Sequence, residues 1–153
     1  MAEQDPKELI FSGITIYTDK DFTRAKEYFE KACKSNDAEK CKKLAEFYFK
    51  ANDLKKTLKY YSKACKLNNA EGCMLSAAFY DGVIKGFKKD KKAFQYYSKA
   101  CELNEALTCT LVGEFYRDGE GVARDEKQMT ESLKKACELG LKEACDILKE
   151  QKQ

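Results

Sequence analysis

Four cysteine pairs share one spacing. Cys33/Cys41, Cys65/Cys73, Cys101/Cys109 and Cys137/Cys145 each enclose seven residues, and each first cysteine closes a Lys-Ala-Cys triplet. Together they use all 8 cysteines of the chain. A structural zinc site groups its ligands as Cys-x2–4-Cys and often adds histidine, and a thioredoxin-like dithiol needs Cys-x-x-Cys. The chain has neither spacing and no histidine, so no metal site and no cofactor are expected, and the pairs read as disulfide staples. On one unbroken helix eight residues rise about 12 Å, whereas a disulfide holds its Cα atoms within about 7 Å. The helix must end and the chain reverse inside every pair. Ser35-Asn36-Asp37, Asn68-Asn69, Asn104-Glu105 and Gly140 supply turn and cap chemistry for that reversal.

Eight cysteines allow about 105 pairings, but only local bridges recur identically at every pair, so 33–41, 65–73, 101–109 and 137–145 is the expected connectivity. Such usage implies an oxidising compartment. The start, "MAEQDPKEL", has neither a basic segment nor an apolar one. The expectation is therefore a secreted or periplasmic protein whose signal peptide has been removed or replaced by Met1. A cytosolic protein with free thiols is the alternative. Charged residues make up 36% of the chain with both signs interspersed and a net charge of only +3, which argues against a dedicated nucleic-acid binder. The lysine-dense run Lys85 to Lys92 is short, singular and broken by Asp90. It reads as a solvated loop rather than a phosphate or anionic-surface contact. No apolar run approaches the ~20 residues of a membrane span.

The last three Lys-Ala-Cys triplets recur every 36 residues, and Cys33 to Cys65 spans 32. Between triplets the pattern is Cys41-x2-Leu44-Ala45-x2-Tyr48, Cys73-x2-Ser76-Ala77-x2-Tyr80 and Cys109-x2-Val112-Gly113-x2-Tyr116. A second pattern follows: Thr57-x3-Tyr61-x2-Ala64, Ala93-x3-Tyr97-x2-Ala100 and Met129-x3-Leu133-x2-Ala136. Both spacings trace one face of a helix. Each unit is thus a helical hairpin with Ala45, Ala77 or Gly113 where its two helices approach. The tyrosines 48, 80 and 116 and the pairs 60–61 and 96–97 read as core.

These residues resemble a tetratricopeptide repeat with cysteine at its first aromatic position. The insertions "DGVIKGFKKD" and "DGEGVARD" resemble the Sel-like repeat, and paired cysteines joining successive hairpins resemble the Helicobacter cysteine-rich protein family. The resemblance implies an all-α, right-handed α-solenoid of helical hairpins clamped by inter-repeat disulfides. One repeat domain, 1–153, would hold repeats 5–36, 37–68, 69–104 and 105–140 and a capping helix 141–153. The first helix, "PKELIFSGITIY", fits least. Gly13 falls on the small position, but Tyr17 fits only after a one-residue slip, and its apolar residues Ile10, Phe11, Ile14 and Ile16 suit a cap, a dimer contact or an altered ligand surface. A Met on a mature-looking start also suits an engineered variant of the scaffold.

Two functional readings follow from the resemblance. In the first, the hairpins' first helices line a concave surface for a protein or extended peptide. Groove positions carried across residue by residue are Ile14; Lys42, Glu46 and Phe49; Met74, Ala78 and Asp81; Thr110, Glu114 and Arg117. The alternative is penicillin binding with weak β-lactamase activity, with a β-lactam or peptidoglycan fragment as ligand. Serine β-lactamases use Ser-x-x-Lys with Ser-Asp-Asn and Lys-Thr-Gly companions. Here Ser132 and Lys135 form a Ser-x-x-Lys with neither companion. With 6 serines and 26 lysines in 153 residues, about one such match is expected by chance. Binding without catalysis is the preferred expectation.

Overall fold

A computed structural model of the chain describes residues 19–83 and 88–151. The first helix with Gly13, Ile14 and Tyr17, and positions 85–87 of the lysine-rich run, lie outside the described residues. Every described element is helical, or a turn between helices. The chain divides into two compact units, Met1–Leu67 and Asn68–Gln153.

In the first unit, α1 (Asp19–Lys34) packs on α2 (Ala38–Lys50), which packs on α3 (Leu54–Lys66). In the second, α4 (Ala70–Ala78) runs into a π-type turn at Phe79–Val83, followed by α5 (Asp90–Glu102), α6 (Ala106–Asp118), α7 (Glu126–Glu138) and α8 (Lys142–Gln151). The main packing in each unit joins sequence neighbours, α4 to α5, α5 to α6, α6 to α7 and α7 to α8 in the second. That is what a hairpin repeat produces, because each element can bury its apolar stripe only against its neighbours.

At four of the reversals two residues make the turn. Asn36, Asn52, Asn68 and Asn104 take left-handed backbone with φ of 67°, 60°, 68° and 70°, a conformation asparagine tolerates better than most residues. The next residue caps the following helix. Asp37, Asp53, Asn69 and Glu105 accept a hydrogen bond from the backbone N–H of Lys40, Lys56, Gly72 and Leu107 respectively. Asp125 caps α7 in the same way through Gln128. The reversal places Cys33 and Cys41 with Cα atoms 4.5 Å apart, Cys101 and Cys109 4.6 Å, and Cys137 and Cys145 4.8 Å, each pair bridged. Cys65 and Cys73 are also disulfide-bonded. The bridges expected at 33–41, 101–109 and 137–145 are observed.

Each unit has its own core. Phe29, Leu44, Tyr48 and Ala64 gather with the Cys33–Cys41 bridge in the first; Ala77, Ala93, Tyr97, Val112, Phe115 and Leu133 gather in the second. The small positions behave as expected. Ala45 and Ala77 are fully buried, and a Cβ on Gly113 would lie 3.4 Å from the Leu133 side chain and the Met129 carbonyl. In two repeats the tyrosine of the first helix stacks on one from the second. Tyr48 lies on Tyr60 at 5.5 Å between centroids, and Tyr80 on Tyr96 at 5.7 Å.

The fourth repeat's inserted loop explains its glycines. Gly119 ends α6 at φ 69° and donates to the Phe115 carbonyl. Gly121, at φ 66°, lies so close to the Asp90 carbonyl at the start of α5 that a Cβ would collide with it.

Candidate functional site

The groove positions expected on first helices fall on α2, α4 and α6, with different environments. Lys42 is buried, and its ammonium pairs with Glu39 at 3.0 Å, one helical turn away. Glu46 is half-buried and pairs with Lys43 at 3.5 Å, whereas Phe49 is exposed. Met74 and Ala78 are half-buried on α4. Asp81, in the turn after it, accepts a hydrogen bond from the Tyr97 hydroxyl at 3.2 Å. Burial first, and then this carboxylate, holds the Tyr97 phenol well above its usual range.

The α6 trio comes together. Thr110, Glu114 and Arg117 line one small cleft of about 40 Å³ with Gly113, with Met129 and Leu133 of α7, and with Ile147 and Gln151 of α8. A larger open cleft of about 580 Å³ shares Met129 and Gln151 with it and adds Glu126, Thr130, Lys134 and Leu148. Thr110 is 8% exposed, and its hydroxyl, wholly shielded from solvent, has no hydrogen-bond partner among the described residues. Such a group is costly unless something completes it. Arg117 forms a two-pronged contact with Asp118 at 2.9 and 3.1 Å. That pair holds the Asp118 carboxyl below its usual range. The site therefore joins an apolar floor, one buried polar group and two rim charges. Met129, Ile147 and Gln151 are not among the expected groove positions, because those lie on first helices, whereas Met129 is on the second helix of the fourth hairpin and Ile147 and Gln151 are on the capping helix.

Ser132 and Lys135 occupy a different cleft. Both are half-buried on α7 and line about 270 Å³ with Ser98, Glu102, Val112 and Tyr116 among others. Ser132 lies within a regular helix, so the backbone N–H groups beside it are committed to carbonyls four residues back and cannot form an oxyanion hole. The repeat also accounts for the pair. Five and two residues before the first cysteine stand Tyr28 and Lys31, Tyr60 and Lys63, Tyr96 and Lys99, then Ser132 and Lys135. Ser-x-x-Lys is a Tyr-x-x-Lys of the repeat with serine in the tyrosine's place. Among the described residues no cluster of three or more histidine, cysteine or carboxylate groups is arranged to hold a metal ion, and no helix is long and apolar enough to cross a membrane.

Comparison with known proteins settles the family. The Sel1 repeat matches four times, at residues 8–37, 42–69, 73–105 and 106–141. The solved structure of Helicobacter pylori cysteine rich protein B is 38% identical, with a TM-score of 0.63 over 86% of this chain and 98% of that one. The chain belongs to the Sel1-repeat family of Helicobacter cysteine-rich proteins. Its relative HcpC of Helicobacter pylori strain J99, provisionally named a β-lactamase, is 47% identical over 58 residues, which are 38% of this chain and 20% of HcpC. This chain thus spans about a fifth of that curated relative's length. The c5321 protective antigen of uropathogenic Escherichia coli shares the fold at 21% identity, with a TM-score of 0.77 over 92% of this chain and 30% of its own. The disulfide-stapled, all-α hairpin repeat expected from the sequence is therefore the architecture of a known family.

Proposed function

We propose that the chain is an exported, disulfide-stapled scaffold, one repeat domain that binds an extended peptide or protein partner along the first-helix face and catalyses nothing itself. The observation that carries this is the unpartnered Thr110 hydroxyl in the α6–α8 cleft, beside Glu114 and Arg117. Once the side chains covering it part, a peptide backbone completes this hydroxyl, a small apolar side chain fills the floor, and the rim charges set orientation. Sel1 repeats serve as protein-interaction modules, and the four disulfides suit a compartment outside the cytoplasm. Lys42, Glu46 and Phe49 on α2, and Met74, Ala78 and Asp81 on α4 and its turn, extend the proposed face within their own units. Ile14 is carried as a further position on sequence alone.

The test is a random-peptide display selection on the oxidised protein, followed by affinity measurements on variants. Thr110→Val is expected to keep or raise stability, since it removes an unsatisfied hydroxyl, yet to weaken selected peptides roughly tenfold. Arg117→Glu is expected to weaken them less and in a salt-dependent way. Lys88→Ala with Lys89→Ala is the silent control. A selection without binders, or binders indifferent to Thr110 and Arg117, contradicts the reading.

One observation favours a second reading. Ser132 and Lys135 share a cleft, and the relatives HcpC and HcpA carry β-lactamase names. Weak hydrolysis or binding of a β-lactam or peptidoglycan fragment would then use Ser132 as nucleophile. On the preferred reading, any nitrocefin turnover by the purified protein stays within about threefold in Ser132→Ala. A collapse of turnover, or a penicillin adduct on Ser132, establishes the second reading.

A further inference from the structure

The repeat places an aromatic ring where Ser132 stands. Tyr60 and Tyr96, five residues before Cys65 and Cys101, cover Tyr48 and Tyr80 of their own hairpins in near-parallel stacks with interplanar angles of 9° and 11°. Tyr116 is the corresponding first-helix tyrosine of the fourth repeat, and its counterpart on α7 is Ser132. Tyr116 instead meets Phe94 edge to face, at 5.2 Å and 83°.

The surface differs accordingly. At the second repeat, the matching cleft is lined by Glu30, Cys33, Lys34, Lys59, Tyr60 and Lys63 and does not reach Tyr48. At the fourth, the cleft passes Ser132 and reaches Tyr116 and Val112 on α6. The two are of similar volume, about 380 and about 270 Å³, so depth distinguishes them. Ser98 on α5 also lines the deeper cleft, and its solvent-shielded hydroxyl has no hydrogen-bond partner among the described residues. Tyr116, Ser132 and Ser98, whose hydroxyl is unsatisfied, therefore line one cleft at a place that two other repeats fill with a phenol.

We infer that the cleft between α5, α6 and α7 receives an aromatic side chain, tyrosine above all, from a protein partner. The incoming ring takes the position that Tyr60 and Tyr96 take in their hairpins, lying against Tyr116 with Val112 below. The Ser98 hydroxyl, shielded in the cleft, is the polar group that a seated phenol completes once the side chains covering it part. Ring burial and offset contact with Tyr116 supply the affinity, and completing Ser98 supplies selectivity for a phenol over a plain ring. The site requires no nucleophile. It also stands apart from the α6–α8 face, so either can fail without the other.

p-Cresol, the tyrosine side chain alone, is the probe, followed by two-dimensional NMR of the full oxidised protein. Saturable shifts centred on Tyr116, Ser98 and Ser132 are expected, with a dissociation constant on the order of 1 mM for so small a ligand. Ser132→Tyr supplies the missing ring from within. It is expected to raise the melting temperature by a few degrees and to weaken cresol at least tenfold. Ser132→Ala, which leaves the cleft open, is expected to change the affinity less than threefold, and toluene is expected to bind more weakly than cresol. Absence of saturable shifts at Tyr116, or a Ser132→Tyr protein that binds cresol as the parent does, overturns the inference. Loss of binding in Ser132→Ala equal to that in Ser132→Tyr also overturns it, because the hydroxyl rather than the ring-sized space would then be the determinant.

Discussion

At the scale of single residues, the fold depends on a few backbone positions that the sequence announces. Asparagine before an acidic or amide residue reads as turn and cap at Asn36, Asn68 and Asn104, whose left-handed backbone and neighbouring caps bear this out, and Asn52 with Asp53 repeats the device. The Gly-x-Gly of the fourth repeat was legible as an insertion, but its reason was not. Only the folded chain shows Gly121 pressed against the Asp90 carbonyl while holding φ at 66°. Gly121→Ala therefore meets both a strained backbone and a collision, and at least about 2 kcal/mol of unfolding free energy should be lost. Urea titration of the oxidised protein checks this, and a midpoint unchanged from the parent contradicts it. Asn104→Ala, which strains the backbone without a collision, should cost about 1 kcal/mol. Missing hydrogen bonds are where sequence reading stops. Nothing in the pattern marks Thr110 or Ser98 as unpartnered, because partner supply depends on three helices meeting.

At the scale of elements, helix positions were legible because periodicity and caps agree. The tie between hairpin helices was only half legible. Tyrosines were assigned to the core, and Tyr48 and Tyr97 are buried there, but each hydroxyl also reaches a carboxylate, Glu30 at 2.9 Å and Asp81 at 3.2 Å. Spacing alone does not show that Tyr97 engages Asp81, which the sequence puts among the groove positions. Burial first, then the neighbouring carboxylate, raises both phenols above their ordinary range. The sign of the consequence follows. Below about pH 10 the phenols are neutral in both folded and unfolded chains, and stability is unaffected. Above it the unfolded chain loses protons that the folded one keeps, so stability falls as pH rises. Denaturant midpoints should be flat from about pH 7 to 9.5 and decline beyond, with a shallower decline in Tyr97→Phe. An equal slope in that variant would remove Tyr97 from the explanation.

At the scale of the whole molecule, the cysteine spacing carried the most information. It required a reversal at each pair, argued against metal and dithiol chemistry, predicted local bridges and led to the family. Partner and site were far less legible, because a repeat specifies how hairpins pack and leaves their exposed faces free to vary. The central claim concerns what holds the array together. Neighbour packing alone buries little surface per repeat. Each nine-residue staple removes enough freedom from the unfolded chain to contribute roughly 2–3 kcal/mol, and four together rival the ~5–15 kcal/mol of an ordinary domain. The direct measurement is equilibrium unfolding in guanidinium, followed by circular dichroism, on the oxidised protein and on the fully reduced protein kept as free thiols. The staples should account for at least about 6 kcal/mol, leaving the reduced chain largely unfolded at physiological temperature. A reduced protein with the oxidised midpoint would contradict the account, and helix packing alone would then hold the repeats.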